Sequence, residues 1–182
     1  QVIEPYVCNK ATLYTDALAR PAIDLGMAAL RQLMEGEDPE ARDRLAWVSL
    51  CGGLSLANAG LGAVHGLAGV IGGMTGAAHG AICGALLGPV LAANRAAASG
   101  MARARLDEVC TILAEALGCL SAEAPGALQA WAWAAGLPGL ASLGVTPEML
   151  RAIAAASLGA SSMKGNPVAL SEATLCEVLE RS

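Results

Sequence analysis

Apolar residues recur at spacings of three and four along almost the whole chain, which predicts helices from end to end. Ile3, Tyr6 and Val7 open the pattern, and Asn9-Lys10-Ala11-Thr12 interrupts it. The next helix is expected to be capped by Thr15 or Asp16 and to turn Ile23, Met27, Leu30 and Met34 inward as one stripe. Gly36-Glu37-Asp38-Pro39 ends that helix and starts another, with Asp38 as cap and Pro39 at the first helical position.

From Leu45 to Asn94 the chain holds no Asp, Glu, Lys or Arg, and glycine recurs from Gly52 to Gly88. Such a run is either the buried centre of a helical domain or membrane, since it could hold two spans of about 20 residues each. Against membrane, His65, His79 and Asn58 would sit at depth, Gly72-Gly73-Met74-Thr75-Gly76 makes a poor hairpin, and no aromatic belt or basic flank marks a boundary. Glycines at helical spacing are assigned instead to close packing of helices.

Beyond Asn94 a helix from about Ala102 to Leu117 carries Leu106, Val109, Cys110, Leu113 and Leu117 on one face, with Arg103, Arg105, Asp107, Glu108 and Glu115 elsewhere. Another is read around Ala122–Ala135, where Trp131 and Trp133, two apart, cannot share a face. A short turn ends at Gly144, Thr146-Pro147-Glu148 opens the following helix, and Ser171-Glu172 starts the last one after the Gly165-Asn166-Pro167 loop. No strand-like alternation interrupts the series. The expectation is one all-α domain over residues 1–182, a bundle of about seven to nine helices.

Composition narrows the partners. Of the 182 residues 55% are hydrophobic, only 3% are aromatic and none is Phe, so the core is built from small aliphatic side chains. A net charge of -5 with scattered basic residues argues against nucleic acid. Six cysteines without a Cys-x-x-Cys pair read as small buried hydrophobes in a reducing, cytoplasmic setting, with a disulfide or thiolate site as the alternative. The chain starts at Gln1 with no initiator Met and no leader, which suggests a piece of something longer.

His65 and His79, the only histidines, both fall in the uncharged run. Neutral imidazole is a good ligand for a divalent transition metal, and helices folded back at Gly72-Gly73 could bring the two rings to one ion. The alternative is a pair of core histidines satisfied by backbone or hydroxyl groups.

The stretch Asn58-Ala59-Gly60-Leu61-Gly62-Ala63-Val64-His65-Gly66, followed by Ala78-His79-Gly80, resembles the signature of the iron-containing (group III) alcohol dehydrogenases. In that family a Gly-Leu-Gly-x-x-His segment precedes a Pro-His-Gly turn. The resemblance extends to Ile3-Glu4-Pro5-Tyr6-Val7, Thr15-Asp16-Ala17-Leu18, Ala41-Arg42, Leu86-Leu87, Val90 and Asn166-Pro167, and so covers nearly the whole chain. It implies the helical C-terminal domain of a dehydroquinate-synthase-like two-domain enzyme, with the N-terminal nucleotide-binding domain absent from this chain. It also implies that His65 and His79 bind iron(II) or zinc(II), while NAD(P) is held mainly by that other domain.

The chain departs from the family pattern at three places. Gln1 stands where the family has a histidine ligand, Gly69 where it often has a further histidine, and Ala78 in place of the proline, while the family's aspartate ligand would lie before Gln1. The implied activity is interconversion of a small alcohol and its aldehyde or ketone, with no turnover expected from these residues alone and Gln1 as a third, weaker metal ligand. A homodimer through an exposed apolar face is the expected assembly, and a helical scaffold domain that has lost its metal is the alternative role. The sequence singles out no catalytic residue beyond the metal ligands.

Overall fold

Helices account for nearly all the regular structure in the computed structural model, which describes residues Gln1–Ser182. They are α1 (Ile3–Val7), α2 (Leu13–Glu35), α3 (Pro39–Asn58), α4 (Ala63–Thr75), α5 (His79–Ala97), α6 (Gly100–Leu117), α7 (Ala124–Ala134), α8 (Leu150–Leu158) and α9 (Glu172–Glu180). Three short 3-10 turns, at Leu140–Leu143, Pro147–Met149 and Ser162–Gly165, join the later helices, and there is no strand. The all-α expectation holds.

Local chemistry explains the boundaries. Thr12, not Thr15 or Asp16, caps α2: its hydroxyl accepts from the Thr15 backbone N–H, and the Thr15 hydroxyl accepts in return from the Thr12 N–H. A reciprocal capping box satisfies two end donors at once, which fixes the start at the earlier threonine. Asp38 and Pro39 start α3 as the sequence predicts.

The stripe expected on α2 is only half real. Ile23 and Met27 are buried, but Leu30 and Met34 are exposed, because the far end of α2 packs on little besides α3. Gly72 and Gly73 likewise make no turn. Helix α4 runs past them to Thr75, and the chain reverses at Gly76, whose φ of 71° is the left-handed conformation that glycine adopts without strain.

Burial divides into two clusters. One gathers α1, α2, α6 and α7 around residues such as Ile23, Leu106, Val109 and Leu113, and the other gathers α4, α5, α8 and α9 around Leu67, Ile71, Leu86, Ile153 and Leu175. Helix α5 belongs to both, with Leu91 in the first, Leu86 and Val90 in the second and Leu87 against each.

The uncharged run is not uniformly buried, as a central core would require. Its α4 and α5 parts bury one face through Leu67, Ile71, Ile82, Leu86 and Val90, but α3 turns Trp47, Leu50 and Leu54 outward. Helix α5 is long and apolar enough to cross a membrane on length and composition, yet Ile82, Leu86 and Val90 are spent on internal packing. The glycines are similarly divided. A side chain at Gly88 would meet the Pro125 carbonyl oxygen at 2.6 Å, so α5 and α7 touch there backbone to backbone, whereas Gly69, Gly73 and Gly80 face open space.

Candidate metal centre

Helix α4 begins at Ala63 with Gly62 as its cap residue, and Gly62 has no side chain to satisfy the first backbone donors. Two remote side chains do so instead. Glu4 of α1 accepts from the Val64 N–H at 2.7 Å and the His65 N–H at 3.4 Å, while Asn166 Oδ1 accepts from the Ala63 N–H at 3.0 Å. A Cβ at Gly62 would lie 2.8 Å from both the Glu4 and Asn166 oxygens, so this junction requires glycine. Asn166 is itself held by a reciprocal amide pair with Asn94 of α5.

The Glu4 carboxylate also reaches the side chain of His65, with Oε2 2.5 Å from Nδ1. Both groups are largely sequestered, the side chains being 15% exposed for His65 and 6% for Glu4. A carboxylate on Nδ1 fixes the ring, so Nε2 is the nitrogen a metal would take on displacing its proton. Burial alone would lower the pKa of this imidazole, but hydrogen bonding to Cys83 and Glu4 and the charge of Glu4 outweigh it and push the value up to about 9.

His79, the first residue of α5, stands across from His65 with ring centroids 5.3 Å apart. Cys83 follows one turn later on the same face, and its Sγ lies 3.5 Å from His79 Nε2. One donor atom from each of His65, His79 and Cys83 falls within 4.8 Å of the others. They line an open cleft of about 460 Å³ together with Gln1, Leu56 and Leu87, and Glu4 is the one acidic residue on its wall. The side chain of Gln1 passes over Gly52 to reach this cleft.

The structure therefore brings His65, His79 and Gln1 to one place. Two further residues at this place escape the sequence reading. Composition reads Cys83 with the other cysteines as packing first and a thiolate second, although His79-Gly80-Ala81-Ile82-Cys83 has the i, i+4 spacing that puts both donors on one face. Glu4, a single acid inside an apolar stretch, is buried and serves two elements at once. Two imidazoles and a thiol within this distance are a donor set suited to a divalent transition metal, so the residues present fit such an ion.

Comparison with known proteins points the same way. The family model for the C-terminal part of the Fe-containing alcohol dehydrogenase family matches residues 1–182. The chain is 39% identical over 71 residues to alcohol dehydrogenase 4 of Schizosaccharomyces pombe, a match covering 38% of this chain and 17% of that one. A 1,3-propanediol dehydrogenase of Klebsiella pneumoniae is also 39% identical over 71 residues, covering 38% and 18%. Among solved structures, a 1,3-propanediol oxidoreductase superposes with a TM-score of 0.85 at 27% identity, over 98% of this chain and 48% of that one. An alcohol dehydrogenase from Oenococcus oeni gives 0.83 at 24%, also over 98% and 48%, which speaks to fold alone. The chain thus spans about half the length of the solved proteins it matches.

Proposed function

The chain belongs to the iron-containing alcohol dehydrogenase family, as its helical C-terminal part, and from that premise we propose that it is the metal-carrying half of an NAD(P)-dependent oxidoreductase interconverting a small alcohol and its aldehyde or ketone. One observation carries the reading: two imidazoles from successive helices converge at 5.3 Å on an open cleft. His65 and His79 hold the metal, with the Gln1 amide oxygen as a neutral, weaker donor. When bound, a divalent ion there supplies Lewis-acid polarisation of an alcohol or carbonyl oxygen.

The residues of the chain do the positioning. Glu4 anchors the His65 ring and the first turn of α4 together, so the ligand cannot rotate without uncapping its own helix. Asn166 and Asn94 fix α4 against α5, which sets the separation of the two imidazoles. Leu56, Val64 and Leu87 give the cleft an apolar wall suited to a short carbon chain. The nicotinamide belongs to a nucleotide-binding domain outside these residues, and the chain alone is expected to show no turnover.

A second reading, a helical scaffold domain that has lost its metal, is favoured by Gly69, which offers no side chain at the exposed position one turn after His65. Calorimetric titration of the purified chain with zinc(II) and iron(II) separates the two. Near-stoichiometric binding that His65→Ala and His79→Ala each abolish supports the metal centre, whereas the same absence of binding in all three proteins supports the scaffold.

A further inference from the structure

We propose that Cys83 is a direct ligand in this centre and that its sulfur tilts the site toward zinc over iron. The inference rests on the metal-centre reading above and adds to it a donor from the chain that neither the family pattern nor Gln1 supplies.

Geometry is the first support. Zinc bonds of about 2.0–2.1 Å to imidazole nitrogen and about 2.3 Å to thiolate sulfur, set at the tetrahedral angle, place the two donors about 3.5 Å apart. Cys83 Sγ and His79 Nε2 are 3.5 Å apart, on adjacent turns of one rigid helix. The three donors already lie within 4.8 Å, so drawing His65 into the same sphere closes at most about 1.5 Å. No refolding is needed.

Chemistry is the second. Two imidazoles and the amide oxygen of Gln1 are all neutral, and a thiolate adds a negative charge to these three donors. Among the six cysteines, Cys83 alone lines the cleft, while Cys8, Cys51 and Cys110 are buried elsewhere. On binding, the Cys83 S–H bond breaks, sulfur bonds the ion, and the proton leaves to solvent, so no oxidant or reductant takes part. A two-nitrogen, one-sulfur set is softer than one of imidazoles and carboxylate, and zinc lies above iron(II) in the stability order for such donors.

Cobalt(II) is the probe, because a cobalt–thiolate bond gives a near-ultraviolet charge-transfer band that nitrogen and oxygen ligands do not. The chain should show this band saturating at one cobalt per chain, zinc should compete for the site better than equimolar iron(II) under anaerobic conditions, and that preference should shrink in Cys83→Ser. Cys83→Ser should lose the band and weaken cobalt binding by at least the roughly 10–100-fold that loss of an outer-shell partner costs, while Cys176→Ser keeps both. Circular dichroism of the metal-free variants checks that each remains folded. If cobalt binds in a His65-dependent manner without the band, or if the band survives Cys83→Ser, the ligand assignment fails and the two-histidine centre stands. If iron(II) displaces cobalt readily, the selectivity fails. If no cobalt binds, the assignment and the metal-centre reading fall together.

Discussion

The two buried clusters are nearly equal in size, 18 residues against 17, but they are dressed very differently. Around the first, Arg105 pairs with Asp16, Arg20 and Tyr6 with Glu108, and Arg95 and Arg103 with Asp107. Around the second lie the exposed Arg151–Glu172 pair and the sequestered Glu4–His65 pair, and the other buried polar side chains, Asn94, Asn166 and Ser157, are neutral. Charge therefore collects where α1, α2, α5 and α6 meet. The lesson is that equal apolar burial leaves room for two electrostatic strategies. The half that carries the imidazoles keeps its ion pairs few, and no Lys or Arg side chain pairs with Glu4 beside His65.

The hardest test of this contrast removes matched leucines. Leu106 and Leu86 are both fully buried, one in each half. Leu106→Ala and Leu86→Ala are each expected to cost about 2–5 kcal/mol in urea unfolding. Because α5 contributes to both clusters, a single cooperative transition is expected in each variant. Two separate transitions would show that the halves fold independently.

A smaller effect is expected at the seam between them. Gly88→Ala drives a methyl group against the Pro125 carbonyl and the Gln129 side chain, and should destabilise the chain by about 1–3 kcal/mol in the same assay.

The smallest effect concerns charge itself. Hydrogen bonds from Tyr6 and Arg20 hold the Glu108 carboxyl below its usual 4.5, so its contribution is full above that value and fades as the pH falls through the lower folded one. Burial and the hydrogen bond to Glu108 push the Tyr6 phenol up from 10 to about 12, so that contribution is full below pH 10 and fades as the pH rises toward 12. Glu108→Gln should cost no more than about 1 kcal/mol near neutrality and flatten both flanks of the stability–pH curve. A curve unchanged by the substitution would mean that the charged half gains nothing from its dressing.

Much of this was legible in the sequence, because helices bury stripes and stripes show as spacing. The Asp38-Pro39 boundary and the Leu106–Leu113 face were readable for that reason. Leu30 and Met34 were misread because periodicity reveals an apolar face but not whether anything packs on it. The turn was placed at Gly72-Gly73 rather than Gly76 because several adjacent glycines could serve equally well, and only the positive φ distinguishes the one that does. His65 and His79 stood out as the only histidines, whereas Glu4 gained its role from a partner sixty positions away, a relation that no local pattern contains.

The clasp on α4 has a kinetic side. Glu4 meets Val64 across 60 positions, Asn166 meets Ala63 across 103, and Asn9 reaches the carbonyls of Lys164 and Asn166 across 155 and 157. Contacts of such sequence separation must overcome the entropy of closing very long loops and tend to form late. Helix pairs such as α2 with α3 can assemble from neighbours, but the first turn of α4 is complete only when Glu4 has arrived from one end of the chain and Asn166 from the other. Metal capture would then report completion of folding.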